Sequence, residues 1–282
     1  MGSTFLVTGV SSGLGRAIAL AGLDAGHTVV GTVRRESDAE AFSATAPGRA
    51  HARLLDVTDA DAVLSTVTEV ERTVGPVDVL VANAGYGHEG LLEETSMAEL
   101  RRQFEVNVFG AVAVIKAVLP GMRARRSGHI LGVTSMGGLR TFPGLAAYHG
   151  SKYALEGILD ALAREVAGFG VRVTAIEPGS FRTDWAGRSM VRSERTVPDY
   201  DTLIEPRREA RRSGSGRQLG DPAKAAAAVL QVVGSANPPV HLLLGSDAVE
   251  LVGQARAEMS AEFAEWEALA RSTDFPDGHR IR

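Results

Sequence analysis

The sequence predicts an α/β fold: a doubly wound parallel sheet of seven strands with helices on both faces. Three observations lead there. Short apolar runs alternate with helical stretches along most of the 282 residues, the pattern of strands buried on both faces. The first run leads straight into a glycine-rich turn that opens a helix. The 32 glycines cluster where a βα chain turns tightly or approaches a ligand.

Phe5-Leu6-Val7 is the first strand, and the helix after it spans about 14–24, stopped by Gly26. Residues 28–33 form the second strand; Arg53-Leu54-Leu55 forms the third, ending at Asp56. A helix over 59–73 leads to strand four at 77–81. Residues 97–126 are a long helical region with a bend near Gly110 and a break at Pro120. Strand five is 128–134, a helix covers 148–168, strand six is 171–176 and strand seven is 240–244. Between the last two strands, 180–219 is the least regular region and holds six arginines from Arg192 to Arg212. Its composition predicts a loop or short helical lid. A helix over 222–233 carries small residues for close packing. The helical extension is 247–282, with helical spacing over 247–270 that includes Phe263, Trp266 and Leu269. It is expected to pack on the body as one or two helices, with a subunit contact as the alternative. No linker or repeat interrupts the chain, so 1–282 reads as one domain.

Lys plus Arg is 30 and Asp plus Glu is 34, a formal charge of -4 that gives no case for nucleic acid. Cysteine is absent, which excludes disulfides and thiolate catalysis. No stretch approaches about 18 uncharged apolar residues, so no membrane partner is expected. The first strand begins by Thr4 or Phe5, leaving no room for a signal peptide, and cytoplasmic residence is the expectation. The seven histidines are dispersed and make no case for catalytic zinc.

Thr8-Gly9-Val10-Ser11-Ser12-Gly13-Leu14-Gly15 sits between strand and helix. Gly9 and Gly13 allow the turn, Gly15 lets the helix pack close, and N–H groups around Ser11, Ser12 and Leu14 can hold a pyrophosphate. This order of strand, turn and helix is the dinucleotide-binding arrangement of a Rossmann sheet. The second strand ends Thr32-Val33-Arg34-Arg35, with uncharged Thr32 where an NAD site carries an acid. Arg34 and Arg35 can pair with a 2′-phosphate, so NADP(H) is preferred over NAD(H). Asp56-Val57 at the end of strand three can meet adenine. Asn83-Ala84-Gly85 at the end of strand four leaves room for ribose while Asn83 braces neighbouring strands.

Tyr148 and Lys152 are four residues apart on one helix face. Near a bound cofactor, the ammonium is expected to favour phenolate, lower the phenol from its usual pKa of about 10 and make it a usable proton donor near neutral pH. With Ser135 upstream, Asn107 in the long helix and Pro178-Gly179 after strand six, the chain resembles the classical short-chain dehydrogenase/reductase family over roughly 4–184. Ser11-Ser12, Thr32-Val33-Arg34 and the long tail resemble its NADP(H)-linked 17β-hydroxysteroid-dehydrogenase-like members. The resemblance implies that Ser135 and Tyr148 hold a carbonyl or alcohol oxygen. It implies that Lys152 binds the nicotinamide ribose and Asn107 a relay water. It further implies that Pro178, Gly179 and Thr183 contact the carboxamide or phosphate, and that subunits pair as a homodimer or homotetramer.

Tyr86, His88, Leu139, Phe142, Phe181 and Trp185 are expected to line the substrate wall with Ser135 and Tyr148. Their apolar character suits a bulky or partly apolar carbonyl compound or alcohol. His149 points off the catalytic helix face, and the role of Glu177 is left open. The function expected is NADP(H)-dependent interconversion of a ketone or aldehyde with an alcohol. The alternative is a non-catalytic dinucleotide-binding regulatory protein.

Overall fold

The structure is a computed structural model that describes residues 2–187, 189–275 and 278. The chain begins with β1 (Thr4–Thr8), buried at every position, and α1 (Gly13–Asp24). β2 (Thr28–Val33), α2 (Glu36–Ser43), β3 (Ala50–Leu54), α3 (Ala60–Thr73) and β4 (Val79–Ala82) follow. Then come β5 (Gly87–Glu89), α4 (Met97–Phe104), a π-helical turn (Glu105–Gly110) and α5 (Ala111–Arg125). β6 (Gly128–Val133), α6 (Ala146–Val166), β7 (Val171–Pro178) and β8 (Met190–Arg192) lead to α7 (Asp201–Ser213). α8 (Pro222–Val233), β9 (His241–Leu244) and α9 (Ser246–Arg271) complete the described elements.

Seven of these strands make one parallel sheet in the order β3-β2-β1-β4-β6-β7-β9. Strand order reverses between β1 and β4, so the crossovers on either side diverge and leave a crevice at the carboxyl ends. One face packs Val63, Val67, Val114, Ile115, Val118, Leu155 and Leu159 against the sheet. The other packs Ile18, Leu23, Phe42, Ala225, Ala226 and Val229. These are the two helical layers the apolar runs called for.

Several boundaries differ from the expectation. β3 starts at Ala50, not Arg53, because pairing with β2 extends back to Val29. α2 escaped notice because its single buried anchor is Phe42. β5 and β8 pair in parallel outside the main sheet; at three residues each they are too short to show periodicity. The bend near Gly110 is the π-helical turn, but α5 runs unbroken through Pro120. Pro120 and Lys116 are exposed, so the carbonyl deprived of a donor faces water. By length and composition Met97–Arg125 could cross a membrane. In this fold its α5 portion buries Val114, Ile115, Val118 and Met122 in the core.

The segment 180–219 contains β8 and the helix α7 of 13 residues. Its arginines dock it: Arg208 Nε lies 2.7 Å and Arg211 Nε 2.8 Å from the buried carboxylate of Glu89. Arg195 pairs with Glu94, Asp201 and Glu205. The extension forms a single helix, α9, whose last buried residue is Val252. Beyond it Phe263 is 67% and Trp266 57% exposed. Residues 276, 277 and 279–282 of that extension, and Arg188 of the preceding loop, lie outside the described residues.

Candidate active site

The glycine-rich turn meets its requirements through backbone geometry. Gly9 has φ 77° and Gly13 φ 63°, values that suit glycine. A Cβ on Gly15 would stand 2.3 Å from Asn83 Nδ2 and 2.4 Å from Gly9 O, so α1 can start this close to β4 only without a side chain. Ser12 occupies the N-cap of α1 yet its hydroxyl makes no capping bond, leaving the N–H groups of the first turn directed at the crevice. Asn83 Nδ2 donates to Thr8 O at 2.8 Å and Gly9 O at 3.2 Å, bracing β1 against β4 as its position implied. Across the turn, the Thr183 side chain lies 3.8 Å from where a Gly13 Cβ would be.

Other cofactor residues divide differently from the expectation. Thr32 is buried, and its Oγ1 accepts from Gly9 N at 3.3 Å, so it braces the turn rather than facing a ribose. Arg35 is engaged bidentately with Asp38 at 2.8 and 2.9 Å, whereas Arg34 is exposed beside Asp56. Asp56 Oδ1 accepts from Thr58 N and Oγ1, which holds its carboxyl below the usual range. Val57 is a core side chain, with Cγ2 2.6 Å from where a Gly110 Cβ would be; only its backbone can meet a ligand. Ser11 and Gly85 are exposed, and Leu14 and Ala84 are half-buried. Gly179 N donates to Leu244 O at 2.8 Å, which ties the Pro178-Gly179 turn to β9.

Tyr148 and Lys152 lie on α6, both buried. Lys152 Nζ sits 5.8 Å from the Tyr148 ring centroid and donates to Val133 O at 2.9 Å. Burial pushes the Tyr148 phenol up to about 12, a hydrogen bond with Ser135 opposing it, and pulls the Lys152 ammonium down to about 8. The expected lowering of the phenol by the ammonium is therefore absent in this state, because desolvation dominates. Ser135 Oγ accepts from Gly137 N at 2.9 Å and is 3.5 Å from Pro178 O. Asn107 sits in the π-helical turn, where the widened backbone points its amide at β5. Its Oδ1 accepts from Tyr86 N at 3.0 Å, while its Nδ2 donates to Tyr86 O at 3.0 Å and Ser151 Oγ at 3.3 Å. Ser151 donates in turn to Tyr148 O at 2.7 Å. Gln103 and Ser151, passed over in the sequence, complete this bracket under the catalytic helix.

Comparison with known proteins bears on this geometry. The family model for short chain dehydrogenase matches residues 3–192. The chain belongs to that family. This short-chain dehydrogenase is 40% identical over 271 residues to "Oxidoreductase BOA17" of Botryotinia fuckeliana, covering 96% of this chain and 98% of that one. It is also 40% identical over 190 residues to the "NADPH-dependent 3-dehydrocapnine reductase" of Ornithobacterium rhinotracheale, covering 65% and 67% respectively. A crystal structure of a short-chain dehydrogenase from Streptomyces avermitilis superposes with a TM-score of 0.91 at 43% identity, covering 98% of this chain and 100% of that one. The seven-stranded sheet and the oxidoreductase class both stand on this footing.

The wall of the dehydrogenase is only partly the one expected. Trp185 meets Tyr148 edge to face, with centroids 5.2 Å apart, and its ring covers Gly87 so closely that a Cβ there would be 2.8 Å away. Leu139 and Phe142 are half-buried in the loop before α6. Phe142 N donates to His149 Nε2 at 2.8 Å, and His149 Nδ1 lies 2.7 Å from Gly137 O, so His149 shapes that loop. Tyr86 is half-buried, with both backbone groups held by Asn107. Two expected wall residues are elsewhere. His88 is buried in β5, 3.2 Å from Ser193 Oγ and 3.7 Å from Glu99 Oε1, because the pairing of β5 with β8 encloses it. Phe181 packs into the α1/α8 core, its ring 2.5 Å from where a Gly220 Cβ would be. An open groove of about 450 Å³ along α4, lined by Leu100, Arg101, Phe104, Glu105 and Phe109, shares no residue with this cluster.

Proposed function

We propose that this short-chain dehydrogenase reduces a bulky, partly apolar ketone or aldehyde with NADPH, Tyr148 giving the proton. The observation that carries the reading is a buried phenol, protonated across the physiological range, with Ser135 beside it and Lys152 one helical turn below. The cradle fits a dinucleotide: Gly9 and Gly13 adopt positive φ, and the α1 N–H groups lack a side-chain cap. Arg34, exposed and without a carboxylate at Thr32 or Val33, suits a 2′-phosphate. The relative named as NADPH-dependent supports the same choice. When bound, the nicotinamide supplies a hydride to the carbonyl carbon.

The chain does the rest. Ser135 Oγ and the Tyr148 hydroxyl together hold the carbonyl oxygen, and Tyr148 transfers its proton as negative charge develops there. The Lys152 ammonium stabilises the phenolate left behind and orients the ribose. Asn107 holds Tyr86 and Ser151, and so positions the helix that carries Tyr148. Trp185, with the loop before α7, excludes water and selects for apolar bulk; α7, clamped by Glu89, acts as the lid. Ser11-Ser12, Val33-Arg34 and the long tail favour the 17β-hydroxysteroid-dehydrogenase-like branch without specifying a steroid.

The test is a screen of ketones, aldehydes and secondary alcohols with NADPH, NADP, NADH and NAD. One NADPH consumed per alcohol formed, with NADH at least tenfold less effective, is expected. Tight NADPH binding without turnover of any carbonyl compound would favour the regulatory reading instead.

A further inference from the structure

Glu177 is fully buried and belongs to none of the groups described so far. It is the penultimate residue of β7, beside Glu156 of α6 and His241, the first residue of β9. One carboxylate oxygen from each glutamate and one ring nitrogen of His241 all lie within 4.8 Å of one another. His241 Nδ1 is 2.7 Å from Glu177 Oε1 and 3.7 Å from Glu156 Oε2. Both oxygens of Glu156 and Oε2 of Glu177 are buried without a hydrogen-bond partner, and both side chains are more than nine-tenths enclosed.

The other ring nitrogen of His241 is equally telling. Nε2 lies 3.4 Å from Asp160 Oδ1, one helical turn beyond Glu156 on the same face of α6. A neutral imidazole that gives its proton to Asp160 turns a bare lone pair toward Glu177. In that tautomer a proton or a metal ion must lie between Nδ1 and Glu177; with the proton on Nδ1 the imidazole donates to Glu177 instead, and in both cases the Glu156 carboxylate stays unpartnered. A carboxylate behind the distal nitrogen is also the usual support of a metal-bound histidine. Burial raises the carboxyl pKa of both glutamates. Burial pulls the imidazole down, but Glu177, Glu156 and Asp160 outweigh it. Lys152 acts on Glu156 and Arg256 on Glu177 in the opposite sense without offsetting burial, so the cluster still favours added positive charge.

We propose that Glu156, Glu177 and His241 form a divalent cation site of the zinc or manganese class, with Asp160 orienting the histidine. Two carboxylates and one imidazole suit such ions, and the fourth position is open toward solvent on the side of half-exposed His241. Bonds of about 2.0–2.2 Å place donors roughly 3.3 Å apart, so Glu177 moves back from His241 by about half an ångström on binding. The site is structural in kind: it ties α6, β7 and β9 together. Glu156 lies one turn beyond Lys152, and Glu177 immediately precedes Pro178-Gly179. The three ligands come from separate elements, which hides them from any spacing rule.

The protein is dialysed against EDTA and titrated calorimetrically with ZnCl2 and, separately, MnCl2 at pH 7.5. Thermal melts accompany each titration. The wild-type chain is expected to take up about one equivalent of at least one ion and to melt at higher temperature with it. His241→Ala is expected to weaken that uptake at least tenfold, and Asp160→Asn to weaken it less. His51→Ala, on the edge strand β3, should behave as wild type. Glu177→Gln adds a second ligand test; if it fails to fold, His241→Ala decides alone, since that side chain is one-third exposed. No uptake of either ion, or uptake unchanged in His241→Ala, overturns the proposal. In the first case a shared proton is what the carboxyl pair holds.

Discussion

Gly9, Asn83 and Asp56 each reach the crevice within a residue or two of the strand that carries them. Trp185 reaches Tyr148 from a loop after the sixth strand of the main sheet, and α7 is held by Glu89 from an unrelated short strand. The cofactor end is thus built from backbone turns and adjacent strand ends, and the substrate end from side chains brought together over long range. The first kind of construction depends on glycine, on small residues and on local order. The second depends on which buried side chain fills which gap. Substitutions should therefore act on chemistry and cofactor choice at one end, and on stability or shape at the other.

Lys152→Met should cost about a thousandfold in kcat/KM, because it removes the charge that stabilises the phenolate. The wild-type profile adds a sign. Lys152 is held down at about 8, so its ammonium is present below that pH and lost above it. Reduction by the free enzyme should accordingly fall as pH rises through 8. A profile flat to pH 10 would detach Lys152 from the proton chemistry.

Phe181→Ala should cost about 3 kcal/mol of stability by opening a cavity beside Gly220. The kcat/KM of the protein still folded should stay within tenfold. A large rise in KM with unchanged denaturant midpoint would return Phe181 to the substrate wall and blur the contrast between the two ends. Arg34→Glu should weaken NADPH about 10- to 100-fold, the range for a charged hydrogen bond, while sparing NADH. Loss of both cofactors equally would mean that Arg34 supports the turn instead.

Deleting residues from Met259 onward should change least. Every described residue from Arg256 onward is exposed, so unfolding midpoints should shift by no more than about 0.5 kcal/mol equivalent. A larger drop would place Phe263 and Trp266 in a contact between copies of the chain.

The same contrast explains what the sequence made legible. The alternation of strands and helices, the turn at Gly9–Gly15, the brace at Asn83 and the pairing of Tyr148 with Lys152 all follow from local spacing. Thr32 and Val57 carried the right address but the wrong orientation. Thr32 sits in a strand covered on both faces and Val57, beyond the end of β3, packs against Gly110, so neighbours distant in sequence set both orientations. His88 and Phe181 looked like wall residues because a polar ring and an aromatic ring near strand ends often are. Their enclosure comes from the β5/β8 pair and from Gly220, which no local pattern announces. The upward shift of Tyr148 without cofactor escapes local spacing for a related reason. The cation's effect can be counted from spacing, whereas the depth of burial that overrides it cannot.

The most direct test of the proton-donor assignment is a single turnover of NADPH with an accepted ketone in wild type and Tyr148→Phe, with NADPH binding followed by fluorescence. The account predicts cofactor affinity within a few-fold of wild type and hydride transfer slowed by about 10³-fold or more. Hydride transfer in the variant within tenfold of wild type would contradict it.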